Sequence, residues 1–281
     1  MSILKDLIFV KLGSSIIADI DNERTLNIKS ISRSLNEIIS AKIKKDFNII
    51  IGYGSGSYTH IPAFKYKLNE GLKYKDSRIG ALIACNLAKK LNFLIVEEAI
   101  KLGIEVFPFS PSSFAYVDND ILIEGEMNNI DKAIDSGFIP IVYGDVLFDK
   151  TKGITIASTE KVLSFMAHYF KPNRIIIATD VDGVFTSNPM LDTTAKIIKD
   201  IDNSNIDDVL GNIKNEANKP YDVTGGMKTE VSDLYNMVKD VTIESDHKCE
   251  GYIINGNREG ILNRTLLGDD IFTSTKIKYI K

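Results

Sequence analysis

The chain has 281 residues, 44% apolar and 26% charged, the balance of an ordinary globular protein, which excludes a fibrous or low-complexity one. A net charge of −4 carried by both signs leaves no basic footprint for a nucleic-acid backbone, so no nucleic-acid partner is expected and any phosphate chemistry must be local. Two cysteines outside any CxxC spacing, Cys85 and Cys249, suggest reduced thiols in a cytoplasmic setting, and neither a leader-type N-terminus nor about 18 uninterrupted apolar residues suggests a membrane span.

In chain order, Leu7 to Leu12 reads as a short buried strand running into Gly13-Ser14-Ser15. Lys11 at its end must be paired or face a cleft, because burying an unpaired ammonium is expensive. It either snorkels or faces phosphate, and its place just before Gly13 favours phosphate; a cleft-facing lysine predicts that Lys11→Ala abolishes activity with little loss of stability. Leu26 to Lys44 carries apolar residues at helical spacing, and Asn48 to Ile51 forms a second buried strand, so the unit is strand–helix–strand and implies a parallel sheet. That strand ends in Gly52, Gly54 and Gly56 with Ser55 and Ser57 between them. Glycines let a backbone approach an anion and present N–H groups to it, and a helix starting near His60 adds its positive end. The other reading is a tight turn with glycines for geometry alone.

Helices are expected at Ile61 to Leu72 and Ile79 to Ile100, a strand at Ile104 to Pro108, a hairpin over Tyr116 to Glu126 and a helix at Ile130 to Ser136. Phe138 to Tyr143 is a strand that places Asp145 near its carboxyl end, where α/β proteins hold ligand groups. Ser158 or Thr159 caps a helix from Lys161 to Phe170. Arg174 to Thr179 is a buried strand ending in Asp180-Val181-Asp182-Gly183, a pattern found in nucleotide loops, metal loops and plain turns. A short helix at Ile206 to Leu210, a small-residue segment at Asp222 to Lys228 before an amphipathic helix, and late strands near Gly251 and Thr275 complete the chain.

The set VKLGSS (Val10 to Ser15), the glycine loop ending in SYTHIP, PIVYGDVLFD (Pro140 to Asp149), ATDVDGVFTSNP (Ala178 to Pro189), DVTGGM (Asp222 to Met227) and INGN (Ile254 to Asn257) resembles the amino acid kinase family over nearly the whole chain. Within it the likeness is to the isopentenyl phosphate kinases and fosfomycin kinases, because a histidine follows the glycine loop at His60 and YGD recurs. The resemblance implies an α/β fold, a three-layer αβα sandwich with a mainly parallel central sheet, with an acceptor-binding lobe at 1–170 and a nucleotide-binding lobe at 171–281. It also implies ATP-dependent phosphorylation of a small phosphate or phosphonate monoester, isopentenyl phosphate being the named expectation, with Mg2+ held mainly by phosphate oxygens and a homodimer through helices of the first lobe. The alternatives are an amino-acid or nucleoside-monophosphate kinase of the same fold, or a non-catalytic nucleotide-binding protein.

By the same resemblance, Lys11, His60 and Lys228 are the catalytic candidates. Gly13, Ser14, Thr179, Asp180, Asp182, Gly183, Gly225, Gly226 and Met227 would border the nucleotide, and Gly54, Ser55, Gly56, His60, Asp145, Ser158 and Thr159 the acceptor. Phosphoryl transfer is mostly positioning and charge neutralisation, which is why cations and backbone donors dominate this set. Three positions depart from the family pattern: Ile20 stands roughly where a second lysine is usual, Glu160 replaces an aspartate, and Glu230 replaces a lysine, leaving Lys228 to substitute.

Overall fold

A computed structural model describes residues 5–18, 25–189, 191–213, 226–269, 271 and 273–281. The first half runs β1 (Leu7–Leu12), α1 (Ser14–Ile17), α2 (Ile28–Lys44), β2 (Asn48–Tyr53), α3 (Ser57–Lys65), α4 (Ser77–Lys101), β3 (Val106–Pro108), β4 (Ala115–Asp118), β5 (Ile121–Gly125), α5 (Asn128–Asp135) and β6 (Ile139–Tyr143). The second runs β7 (Asp145–Asp149), β8 (Gly153–Ala157), α6 (Thr159–Phe170), β9 (Arg174–Thr179), β10 (Asp200–Ile201), α7 (Ile206–Asn212), α8 (Gly226–Glu244), β11 (Glu250–Asn255), α9 (Ile261–Leu267) and β12 (Ser274–Lys278).

Among the described residues, eight strands form one sheet in the order β10-β12-β11-β9-β1-β2-β6-β3. Every neighbouring pair is parallel except β11 with β12. The near-continuous apolar runs of β1, β2 and β9 follow from burial on both faces. Because strand side chains alternate, Leu7 and Phe9 join Ile50, Val142, Ile175 and Ile177 in a core closed by Val162, Leu163 and Met166 of α6 and Val231, Leu234 and Val238 of α8. Ile8, Val10 and Leu12 face the other way, into a core with residues of α2, α4 and α9. The result is the expected three-layer sandwich with a mainly parallel sheet.

Several boundaries differ from the sequence reading. The helix expected at Ile61 to Leu72 is α3 at Ser57–Lys65 followed by a 3₁₀ turn at Leu68–Glu70. It starts earlier because the carbonyls of Ser55 and Gly56 already accept from Tyr58, Thr59 and His60, and it stops where Lys67 adopts a left-handed conformation. Asp145 opens β7 rather than trailing β6. The four strands β5-β4-β7-β8 form a second sheet, which the weak alternation of Tyr116 to Glu126 did not foretell. α4 is long and apolar enough to cross a membrane by length and composition. In the fold its Ala81, Ala84, Ala88, Leu91, Ile95 and Ala99 are buried, and it packs against α2, α3, β3 and β7.

Candidate active site

The period-two alternation of β1 decides where Lys11 points. Following Leu7 and Phe9, it occupies the next position on the face covered by α6 and α8, in register with Gly52 of β2 and Ile177 of β9. It is only 4% exposed. Its Nζ donates to Glu230 Oε1 of α8 at 2.6 Å and pairs with Glu160 of α6. Burial opposes its charge, but Glu160 and then Glu230 outweigh that and hold the ammonium protonated well above the usual lysine range. Burial likewise opposes the charge on Glu160, and Lys11 overrides it, keeping that carboxyl below its usual value. Asp233, one turn beyond Glu230, has no ion-pair or hydrogen-bond partner among the described residues. Burial, then Glu160, with a smaller push from Glu230, raise its carboxyl to about 6.

The two N-terminal glycine loops touch above this cluster. A Cβ on Gly54 would lie 2.9 Å from the Ser14 amide nitrogen, and one on Gly56, whose φ is 50°, would lie 3.1 Å from Ser14 Cβ. Glycine at these positions therefore lets the loops after β1 and β2 close on each other. Gly56 is the N-cap of α3, and among the described residues the amides of Ser55, Gly56 and Ser57 have no backbone acceptor. Such donors at the start of a helix suit an anion. Ser55 and Thr59 share a short hydroxyl hydrogen bond, and Thr59 lines the same space. Across from them, Ser158 caps α6 by accepting from the Lys161 amide, and Thr159 Oγ1 donates to the Tyr53 carbonyl at 2.7 Å, tying α6 to the end of β2.

These groups open on one cavity of about 820 Å3. Of the sequence candidates, Lys11, Ser14, Gly54, Ser55, Gly56, His60, Ser158 and Thr159 line it. Gly13 packs against β9, its amide donating to the Ala178 carbonyl at 2.8 Å; Thr179 and Asp180 follow at the carboxyl end of β9 and Gly183 packs on Ser274 and Thr275 of β12, all of them outside the cavity lining. Gly226 and Met227 begin α8, Met227 packing on the core, and Lys228 follows them outside the lining; Gly225 lies outside the described residues.

Two carboxylates expected to meet ligand are used within the protein. Asp145, 3% exposed, accepts from the amides of Ser112 and Val146 and so anchors the turn before β4. Asp182 accepts from Asn255 Nδ2 at 2.9 Å and from Arg258, which fastens the loop after β9 to the end of β11. Sequence reasoning had no signal for the far wall, where Asp120, Ile121 and Leu122 of the β4–β5 hairpin, with Lys152 and Thr155, arrive through the second sheet. The left-handed Asn119 and Asp120 make that hairpin turn, and Lys152 pairs with Asp120.

A mainly parallel αβα sandwich whose strand ends carry a buried lysine, two touching glycine loops and a helix N-terminus defines a class, the α/β kinases that move phosphoryl groups between small molecules. The chain belongs to the amino acid kinase family, whose sequence model matches residues 6–254. It is 28% identical over 276 residues to an isopentenyl phosphate kinase of Methanothermobacter thermautotrophicus, covering 94% of this chain and 97% of that one. A second such kinase, from Thermoplasma acidophilum, is 28% identical over 275 residues, covering 97% and 100%. A solved isopentenyl phosphate kinase superposes with a TM-score of 0.79 at 25% identity, covering 96% of this chain and 99% of that one.

Proposed function

We propose that the chain is an ATP-dependent kinase that phosphorylates isopentenyl phosphate to isopentenyl diphosphate. The observation that carries this is the joint lining of one cavity by Lys11, Ser14, the Gly54–Gly56 loop and His60, together with near full-length similarity to kinases of that name. In this reading the acceptor phosphate rests on the amides of Ser55, Gly56 and Ser57 and takes a hydrogen bond from His60. ATP lies on the side of Gly13, Thr179, Asp180, Gly226 and Met227. An acceptor oxygen attacks the γ-phosphorus, the new P–O bond forms as the bond to the β-phosphate oxygen breaks, and ADP leaves. Lys11 offsets charge on the transferring group while Glu160 fixes its position.

Among the described residues no cluster of three or more His, Cys, Asp or Glu side chains is arranged to hold a metal ion. Magnesium, which neutralises phosphate charge in this chemistry, would be held mainly by phosphate oxygens. A cytoplasmic setting, an acceptor lobe at 1–170 with a nucleotide lobe at 171–281, and pairing of two copies through first-lobe helices belong to the same proposal. The exposed Ile79, Leu82, Phe93 and Ile100 of α4 support the pairing, and sedimentation measures it.

The test is incubation of the purified protein with ATP, magnesium and isopentenyl phosphate, with glutamate and UMP as rival acceptors. Formation of isopentenyl diphosphate in preference to the other products is expected. A folded protein that turns over only a rival acceptor refutes the reading.

A further inference from the structure

Lys11 is over-compensated. Two carboxylates contact its single positive charge, and a third, Asp233, whose carboxyl burial and then Glu160 raise to about 6, stands near them. Counting Lys161, which lines the cavity and also acts on Asp233, two cations stand against three carboxylates, so the neighbourhood carries net negative charge where phosphates are to approach. At about 5 Å and an effective dielectric constant of about 20, like charges repel strongly enough to change binding by orders of magnitude. The two partners of Lys11 differ in how firmly they are held. The Glu160 side chain is 9% exposed, within the first turn of α6 whose cap and contacts with β2 fix it. The Glu230 side chain is 19% exposed, on the cavity wall in the first turns of α8.

We propose that Glu230 is a carboxylate gate on Lys11: it occupies on the ammonium the position that a phosphate oxygen of the nucleotide needs, so ATP binds there only by displacing it. The gate rests on the reading of this cavity as a phosphoryl-transfer site, though not on the identity of the acceptor. It gives Glu230 a role opposite to that of a phosphate-binding lysine. Glu160 keeps Lys11 in place throughout, and Glu230 sets how much binding energy a ligand must bring to engage it. Because Glu230 rides on the helix that begins with Gly226 and Met227, contact of nucleotide with that helix start moves the gate as well, so binding and release of Lys11 are one event. Ligands lacking enough negative charge to displace the carboxylate are excluded from Lys11.

The experiment compares the native chain with Glu230→Gln and Glu230→Asp. Glutamine keeps size and a hydrogen-bond acceptor but removes the charge; aspartate keeps the charge. Calorimetry with ATP and magnesium reads affinity without needing turnover, and isopentenyl phosphate turnover by the native chain, measured in parallel, reports separately on the proposed activity. Glu230→Gln is expected to bind ATP at least tenfold more tightly than the native chain, with Glu230→Asp nearer to native. The KM for ATP of the glutamine variant falls by a larger factor than kcat changes. A merely structural Glu230 would instead give two variants of lowered thermal midpoint and unchanged or weaker ATP binding. That result, equal affinities in all three chains, or no ATP binding by any of them, overturns the gate.

Discussion

Lys11 gives the sharpest test of whether stability and chemistry share a residue. A lysine merely facing a cleft would be dispensable to folding, but this one is buried in a cluster with Glu160 and Glu230. Replacing it by methionine keeps an unbranched side chain of similar length and removes the charge, stranding the Glu160 carboxylate in a site whose burial raises its pKa. Breaking one side of a buried ion pair costs about 3–5 kcal/mol. For a chain of this length that is a fall in thermal midpoint of roughly 5–10 °C. Lys11→Met should thus lose both activity and stability.

The double variant Lys11→Met/Glu160→Gln separates the two effects. With Glu160 neutral and only the more exposed Glu230 left without its cation, it should recover most of the lost stability, because buried pairs replaced by neutral groups are often neutral in cost, while phosphoryl transfer stays abolished. pH adds a second check. In the native chain Glu160 titrates below its unfolded value, so its contribution is present above the unfolded carboxylate pKa of about 4.3 and is lost as pH falls through the folded value. In Lys11→Met burial, the largest cause, is opposed only by the hydrogen bonds from the Glu160 amide and Ser158, so the sign is expected to reverse and the variant's deficit should be largest at pH 7–8 and shrink toward pH 4–5. Urea unfolding across that range measures it. A single variant as stable as the native chain at pH 8, or a double variant no more stable than the single one, refutes the buried-pair account.

The central sheet was legible because strands buried on both faces write long β-branched runs, and β9 matches its expected bounds from Arg174 to Thr179. The same alternation that buries Phe9 aims Lys11 at α6 and α8, so that it must be paired or face a cleft could be read from position, and it does both. What Lys11 meets there could not, since Glu160 and Glu230 come from helices far along the chain and appeared only as departures from a pattern. Asp145 and Asp182 show the converse: a carboxylate at a strand end reads as ligand-facing until the amides of Ser112 and Val146, or Asn255 and Arg258, are found to occupy it. The far wall was illegible for another reason. It depends on how β4, β5, β7 and β8 pair, and short strands with weak alternation leave pairing to tertiary context.

Further outcomes follow from single contacts. Gly54→Ala sets a Cβ 2.9 Å from the Ser14 amide nitrogen, so it should cost about 1–3 kcal/mol and lower kcat at least tenfold by parting the two loops; native-like activity would mean that they need not touch. Asp182→Ala removes the acceptor for Asn255 and Arg258 and should cost about 1–2 kcal/mol by chemical denaturation, whether or not nucleotide is present. Asp233→Asn tests the excess of negative charge. Its carboxyl pKa is raised in the folded chain to about 6, so the native state holds a proton that the unfolded chain has released from about pH 3.9 upward. Stability from this group is therefore present at low pH and lost as pH rises through about 6, the reverse of an ion-paired aspartate. With partial exposure screening the effect, asparagine should stabilise the protein by about 1 kcal/mol at pH 8 and by nothing at pH 4. Thermal melts at the two pH values decide it, because a gain that does not depend on pH would place its cause in packing rather than in the crowd of carboxylates around Lys11.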